Sequence, residues 1–151
     1  MNQVNILYTA EATATGAGRA GRVRSTDGLI DTDLAVPADM GGPGGATNPE
    51  QLFAAGYAGC FHNALRLVAR RAKVDLNESA VTARVGIGPD GAGGYTIAVT
   101  LRVTTPGVER AAAEQLIAKT REVCPYSKAT RGNIDTTIEL VDPEPAAAEQ
   151  A

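Results

Sequence analysis

Tryptophan is absent from this chain, and aromatic residues of any kind make up only 4% of it. It therefore has no set of rings on which single-stranded nucleic acid could stack. Charge of the sign that binds polyanions is also short: 14 Lys and Arg stand against 17 Asp and Glu, a net of -3. That balance gives no electrostatic case for nucleic acid. A single histidine and two cysteines make an incomplete zinc set, so no metal is expected. The opening MNQVNILYTAEATATG lacks a basic segment, and its apolar run is too short for a secretory signal. With no membrane-spanning run either, the expectation is a soluble, cytoplasmic protein. In a secreted chain two cysteines would suggest a structural disulfide; in a cytoplasmic one they suggest redox chemistry or two unrelated core thiols.

The longest apolar stretch is TNPEQLFAAGYAGCFHNALRLVARR, residues 47–71. It predicts one helix, roughly 37 Å long at 1.5 Å per residue. Asn48 suits the N-cap, Pro49 the first helical position, and Glu50 the positive end of the dipole. Its centre is apolar on every side, as in a core helix. Glu50, His62, Asn63, Arg66, Arg70 and Arg71 argue against a membrane span. A helix apolar all round would leave a large exposed patch on a small monomer. A homodimer in which two copies of the helix pack together is expected.

Around the helix the pattern is mostly of strands. Val4, Ile6 and Tyr8 alternate, Arg22 to Ser25 resumes after glycines, and Asp27-Gly28 marks a turn before Ile30, Leu34 and Val36. Residues 37–46, PADMGGPGGA, form a loop without a P-loop ending or a G-x-G-x-x-G spacing. A connector or mobile flap is expected there rather than a phosphate site. Val81, Val85 and Ile87 alternate in one strand, and Tyr95 to Val103 alternates more clearly in the next. Ala113, Leu116, Ile117, Thr120 and Val123 share one face of a second helix, ended near Cys124 by Pro125. Ile134, Ile138 and Leu140 suit a last strand. The order β-β-β-α-β-β-α-β predicts an α+β fold with antiparallel sheets. Residues 1–142 read as a single domain and 143–151 as a disordered tail.

Cys60 and Cys124 lie 64 positions apart, so no local C-x-x-C site exists. Cys60 is mid-helix; Cys124 is at a helix end beside a proline, where the chain can bend. The pair suits a protected attacking thiol and a more mobile resolving thiol. It also suits two inert core residues, because free cysteine is among the most buried residue types. Chemistry would need a fixed cation, since the thiolate is the nucleophile. Arg19 is the candidate, with Glu50 to hold its guanidinium flat by bidentate pairing; a solvated loop arginine and a first-turn acid are the alternatives. Glu50 and Cys60 are about 15 Å apart along one helix. If all three act together, Arg19 and Glu50 are expected from a partner subunit.

Four segments carry a resemblance: LYTAEATATG (7–16), ATNPEQLFAAGYAGCF (46–61), VGIGP (85–89) and VCPYSKATRGNI (123–134). With them the chain resembles the organic hydroperoxide resistance proteins, the Ohr branch of the Ohr/OsmC superfamily. The resemblance implies an intertwined homodimer with antiparallel sheets wrapped around central helices. It implies a thiol-dependent peroxidase that reduces organic, including fatty-acid, hydroperoxides to alcohols. Cys60 matches the peroxidatic cysteine, Cys124 the resolving one, and Glu50 the catalytic glutamate. Arg19 matches the arginine, although GAGRAGR is one residue longer than the usual element and Arg22 stands three positions on. A Cys60–Cys124 disulfide, recycled by a lipoyl dithiol on a partner protein, is implied, with no bound cofactor. Phe53, Tyr57 and Phe61 near Cys60 suggest a bulky substrate. The alternatives are an OsmC-type peroxidase of broader range and a redox-sensing dimer without turnover.

Overall fold

The computed structural model describes residues 3–142, and the stretch 143–151, expected to be a disordered tail, lies outside the described residues. The chain, expected from the sequence as a single domain over 1–142, divides into two compact units, Met1–Leu52 and Phe53–Ala151. Helix α1 (Pro49–Arg71) begins in the first and runs on through the second.

The first unit is a three-stranded antiparallel meander of β1 (Ala12–Thr15), β2 (Arg22–Ser25) and β3 (Asp31–Asp33). Gly28, at φ +75°, supplies the left-handed turn residue that the Asp27-Gly28 signal calls for. The Asp27 carboxylate accepts from Ser25 Oγ and the Leu29 N–H and closes the loop. Residues 3–11 do not join the ladder, contrary to the expectation for Val4, Ile6 and Tyr8. Their alternation is real, but a strand needs a neighbour to bond, and no described residue provides one. Val4, Ile6 and Tyr8 are 72%, 66% and 78% exposed.

The glycine loop is a pinned connector. Gly42 N–H bonds Pro37 O and Gly44 N–H bonds Val36 O, both at 3.0 Å. A Cβ on Gly42 would stand 2.2 Å from the Val36 carbonyl oxygen, so the chain turns tightly back on itself here. The helix then starts as its sequence dictates: Asn48 Oδ1 accepts from the Gln51 N–H at 2.8 Å.

In the second unit α1 buries Tyr57, Phe61, Ala64, Leu65, Val68 and Ala69. Within one chain it is not buried on every side, as expected for a helix whose remaining face a second copy would cover. Ala55, Gly59, Asn63 and Arg66 form an exposed strip at helical spacing; small and polar side chains occupy the positions that face away from the core. Strands β4 (Ala80–Pro89) and β5 (Tyr95–Thr104) form a long antiparallel hairpin, with Val99, Leu101 and Val103 turned into the core. Helix α2 (Arg110–Val123) lays Ala113, Leu116 and Thr120 on the same core. A short helix, α3 (Pro125–Thr130), follows, and β6 (Thr136–Leu140) closes the sheet in the order β4-β5-β6.

Two features depart from expectation. Helix α3 was not foreseen, because six residues carry no measurable period. β6 pairs with β5 in parallel, so the second sheet is not wholly antiparallel. Two helices separate these strands, and a crossover of that length permits parallel pairing where a hairpin cannot. Phe61, fully buried at the centre of this core, sets its stability. Phe61→Ala is expected to lower the unfolding free energy by about 3–5 kcal/mol, read as a fall in the urea midpoint.

Candidate active site

Cys124 is the hinge between two helices. Its N–H still bonds Thr120 O, closing α2, while its own carbonyl accepts from the Lys128 N–H and opens α3. Its backbone, at φ -65° and ψ 124°, leaves the helical region, as the residue before a proline must. Pro125 occupies the first turn of α3, where its missing N–H costs nothing. This geometry turns the Cys124 side chain toward α1. Cys124 Sγ lies 3.7 Å from Cys60 Sγ, with both thiols free.

Within one chain the burial of the pair differs from the sequence reading, in which Cys60 was the protected thiol. Cys124 is fully buried and Cys60 is only half-buried. Mid-helix position protects a residue only on the face that other elements cover. Burial is nevertheless the largest influence on Cys60 and pushes its thiol pKa up; the Tyr126 backbone N–H lowers it, and Cys124 raises it further. An N–H at the open start of α3 thus favours a thiolate at Cys60, against its partly dry surroundings.

Three rings cluster in the same unit as the thiols. Phe53 and Tyr57 meet edge-on at 6.2 Å between centroids, and Tyr126 lies 6.0 Å from Phe53 and 5.6 Å from Tyr57. Of the three aromatics expected to bind substrate, Tyr57 and Phe61 are wholly buried. They form core rather than accessible wall. Phe53 is half-buried, and Tyr126, at 38% exposure, is open to solvent. Tyr126 was missed; its place two residues after Cys124, behind a proline that starts a helix, was the available signal. Gly56 makes room for it, since a Cβ there would stand 2.8 Å from the Tyr126 hydroxyl.

The arginine and glutamate expected to act together are paired within the first unit. Arg19 Nη1 donates to Glu50 Oε2 at 2.9 Å and Nη2 to Oε1 at 2.6 Å, the bidentate fork. Arg22, the other candidate, is committed elsewhere, to Asp31 and Asp33. Arg19 holds the Glu50 carboxyl below its usual pKa. A carboxyl whose folded pKa is depressed contributes stability above its unfolded value, and loses it as pH falls through the folded one. The stability difference between wild type and Glu50→Gln is therefore expected to be constant above about pH 5 and to close below about pH 4. It should stay under about 1 kcal/mol, because the Arg19 side chain is 37% exposed. Urea titrations across that range measure it.

His62 Nε2 lies 2.9 Å from Ser79 Oγ. Among the described residues no cluster of three His, Cys, Asp or Glu is placed to hold a metal, and no helix is long and apolar enough to cross a membrane.

The α+β fold is that of the OsmC class: a family model described as OsmC-like protein matches residues 42–139. An organic hydroperoxide resistance protein of Xanthomonas axonopodis pv. citri is 52% identical over 137 residues, spanning 89% of this chain and 95% of the relative. Organic hydroperoxide resistance protein OhrB of Bacillus subtilis is 48% identical over 136 residues, spanning 89% and 98%. The crystal structure of an organic hydroperoxide resistance protein from Legionella pneumophila superposes with a TM-score of 0.86 at 48% identity, covering 90% of this chain and 98% of that one. The chain belongs to the OsmC-like family, in its organic hydroperoxide resistance (Ohr) branch.

Proposed function

We propose that this protein serves organic hydroperoxide resistance as a thiol peroxidase, with Cys60 as the attacking and Cys124 as the resolving sulfur. The observation that carries the reading is the 3.7 Å separation of two free thiols. The Cys60 thiolate attacks the distal oxygen of the hydroperoxide. The O–O bond breaks, the alcohol leaves with a proton, and Cys60 becomes a sulfenic acid. The Cys124 sulfur then attacks that sulfenic sulfur, the S–S bond forms and water leaves. A lipoyl dithiol carried on a partner protein restores both thiols by exchange. Half-buried Cys60, on the helix that carries Phe53 and next to the backbone of exposed Tyr126, favours bulky organic and fatty-acid hydroperoxides.

Arg19, held flat by Glu50, is assigned as the cation that offsets the burial of Cys60, contributed by the second copy of a cytoplasmic homodimer. The exposed apolar arm Val4, Ile6, Leu7 and Tyr8 and the small-residue strip of α1 support that assembly, because both are surfaces a second chain would cover. Sustained consumption of cumene hydroperoxide with a dihydrolipoyl reductant is the test. A single stoichiometric round followed by arrest would instead favour a redox-sensing dimer, and a preference for hydrogen peroxide the broader OsmC type.

A further inference from the structure

Tyr57 and Cys60 are one turn apart on α1, and Cys124 and Ser127 are one turn apart at the start of α3. The two helices therefore meet at two matched levels. At one, the sulfurs oppose each other at 3.7 Å. At the other, Tyr57 Oη lies 2.8 Å from Ser127 Oγ and 3.2 Å from Thr130 Oγ1. Tyr57, Ser127 and Thr130 are 0%, 2% and 5% exposed. Hydroxyls so far from water bond one another or go unsatisfied, and the unsatisfied state is costly. The contact is close as well as polar, since Gly56 leaves no room for a side chain beneath Tyr126.

A disulfide is about 2.05 Å long, so the sulfurs must close by roughly 1.7 Å from their present separation. Cys124 can swing, because it is the hinge between α2 and α3. The helix that carries it must meanwhile stay in register. We propose that Tyr57 is a positioning residue: its buried hydroxyl pins α3 to α1 at Ser127 and Thr130, keeping Cys124 opposite Cys60 while Cys60 is a sulfenic acid. This rests on the reading of the two cysteines as a redox pair. Oxidation does not touch the hydroxyl level, so it holds the register in both states. Without it, condensation slows and the waiting sulfenic acid meets a second hydroperoxide, whose oxygen transfers to sulfur to give sulfinic acid and a second alcohol.

Tyr57→Phe keeps the ring against Phe53 and Tyr126 and removes only the hydroxyl. The effective concentration of the two thiols, read from their equilibrium with glutathione, is expected to fall on the order of ten-fold. The sulfinate formed per disulfide under excess cumene hydroperoxide should rise by a similar factor. Ser127→Ala should shift both readings in the same direction and serves if Tyr57→Phe does not fold. Ile138→Val loses core packing on β6 and should leave the effective concentration alone, separating register from general stability. Unchanged effective concentration and unchanged sulfinate fraction in both hydroxyl variants would overturn the proposal. The glutathione equilibrium needs no peroxide: a wild type inert to hydroperoxide sinks the peroxidase reading, while the glutathione values still decide the role of Tyr57.

Discussion

Cys60→Ser is expected to end the consumption of organic hydroperoxide, with a loss on the order of 10³-fold or more. A serine hydroxyl stays protonated at neutral pH, and its oxygen forms no sulfenic acid. Cys124→Ser should behave differently. It keeps the attacking thiol and its Tyr126 N–H donor, so the first equivalent of hydroperoxide reacts. The product is then a sulfenic acid with no resolving partner at 3.7 Å, and it advances to sulfinate under excess oxidant. The two variants thus separate into no reaction and one incomplete reaction, distinguishable by trapping the sulfenic acid with dimedone. Equal rates for Cys60→Ser and wild type would remove the assignment altogether.

Arg19→Ala carries the second large effect. Burial raises the Cys60 pKa, and the single Tyr126 N–H opposes it. A neighbouring guanidinium favours the charged form and lowers such a pKa. Its loss is expected to raise the alkylation pKa of Cys60 and to slow peroxide reduction by roughly 10- to 1000-fold at neutral pH. Arg22→Ala should change the thiol little, because Arg22 is engaged by Asp31 and Asp33. Glu50→Gln should fall between, keeping the guanidinium but loosening the fork that orients it. An unchanged pKa in Arg19→Ala would exclude Arg19 as the activating cation.

Much of the fold was legible because local rules agree with it. The Asn48 cap, Pro49 and the apolar stretch that follows specify α1. Alternation specifies the hairpin of β4 and β5, and the Arg19–Glu50 pairing follows from the chemistry of a bidentate fork. What stayed hidden depends on distant partners. The direction of β6 is set by the length of the crossover, not by its own residues. Val4 to Tyr8 alternate like a strand yet find no neighbour among the described residues. The relative burial of the two cysteines depends on the packing of α2 and α3, which within one chain seals Cys124 and leaves Cys60 half-buried. Tyr57 looked like substrate wall for the same reason: a ring near a thiol can line a pocket or fill a core, and its hydrogen bonds to Ser127 and Thr130 decide which.

The most direct measurement is the mass of the reduced protein after one equivalent of cumene hydroperoxide. The predicted result is a chain lighter by two hydrogens, with a single peptide pair joined through Cys60 and Cys124. Two intact thiols, or oxygen added at Cys60 while Cys124 stays free, would contradict the account.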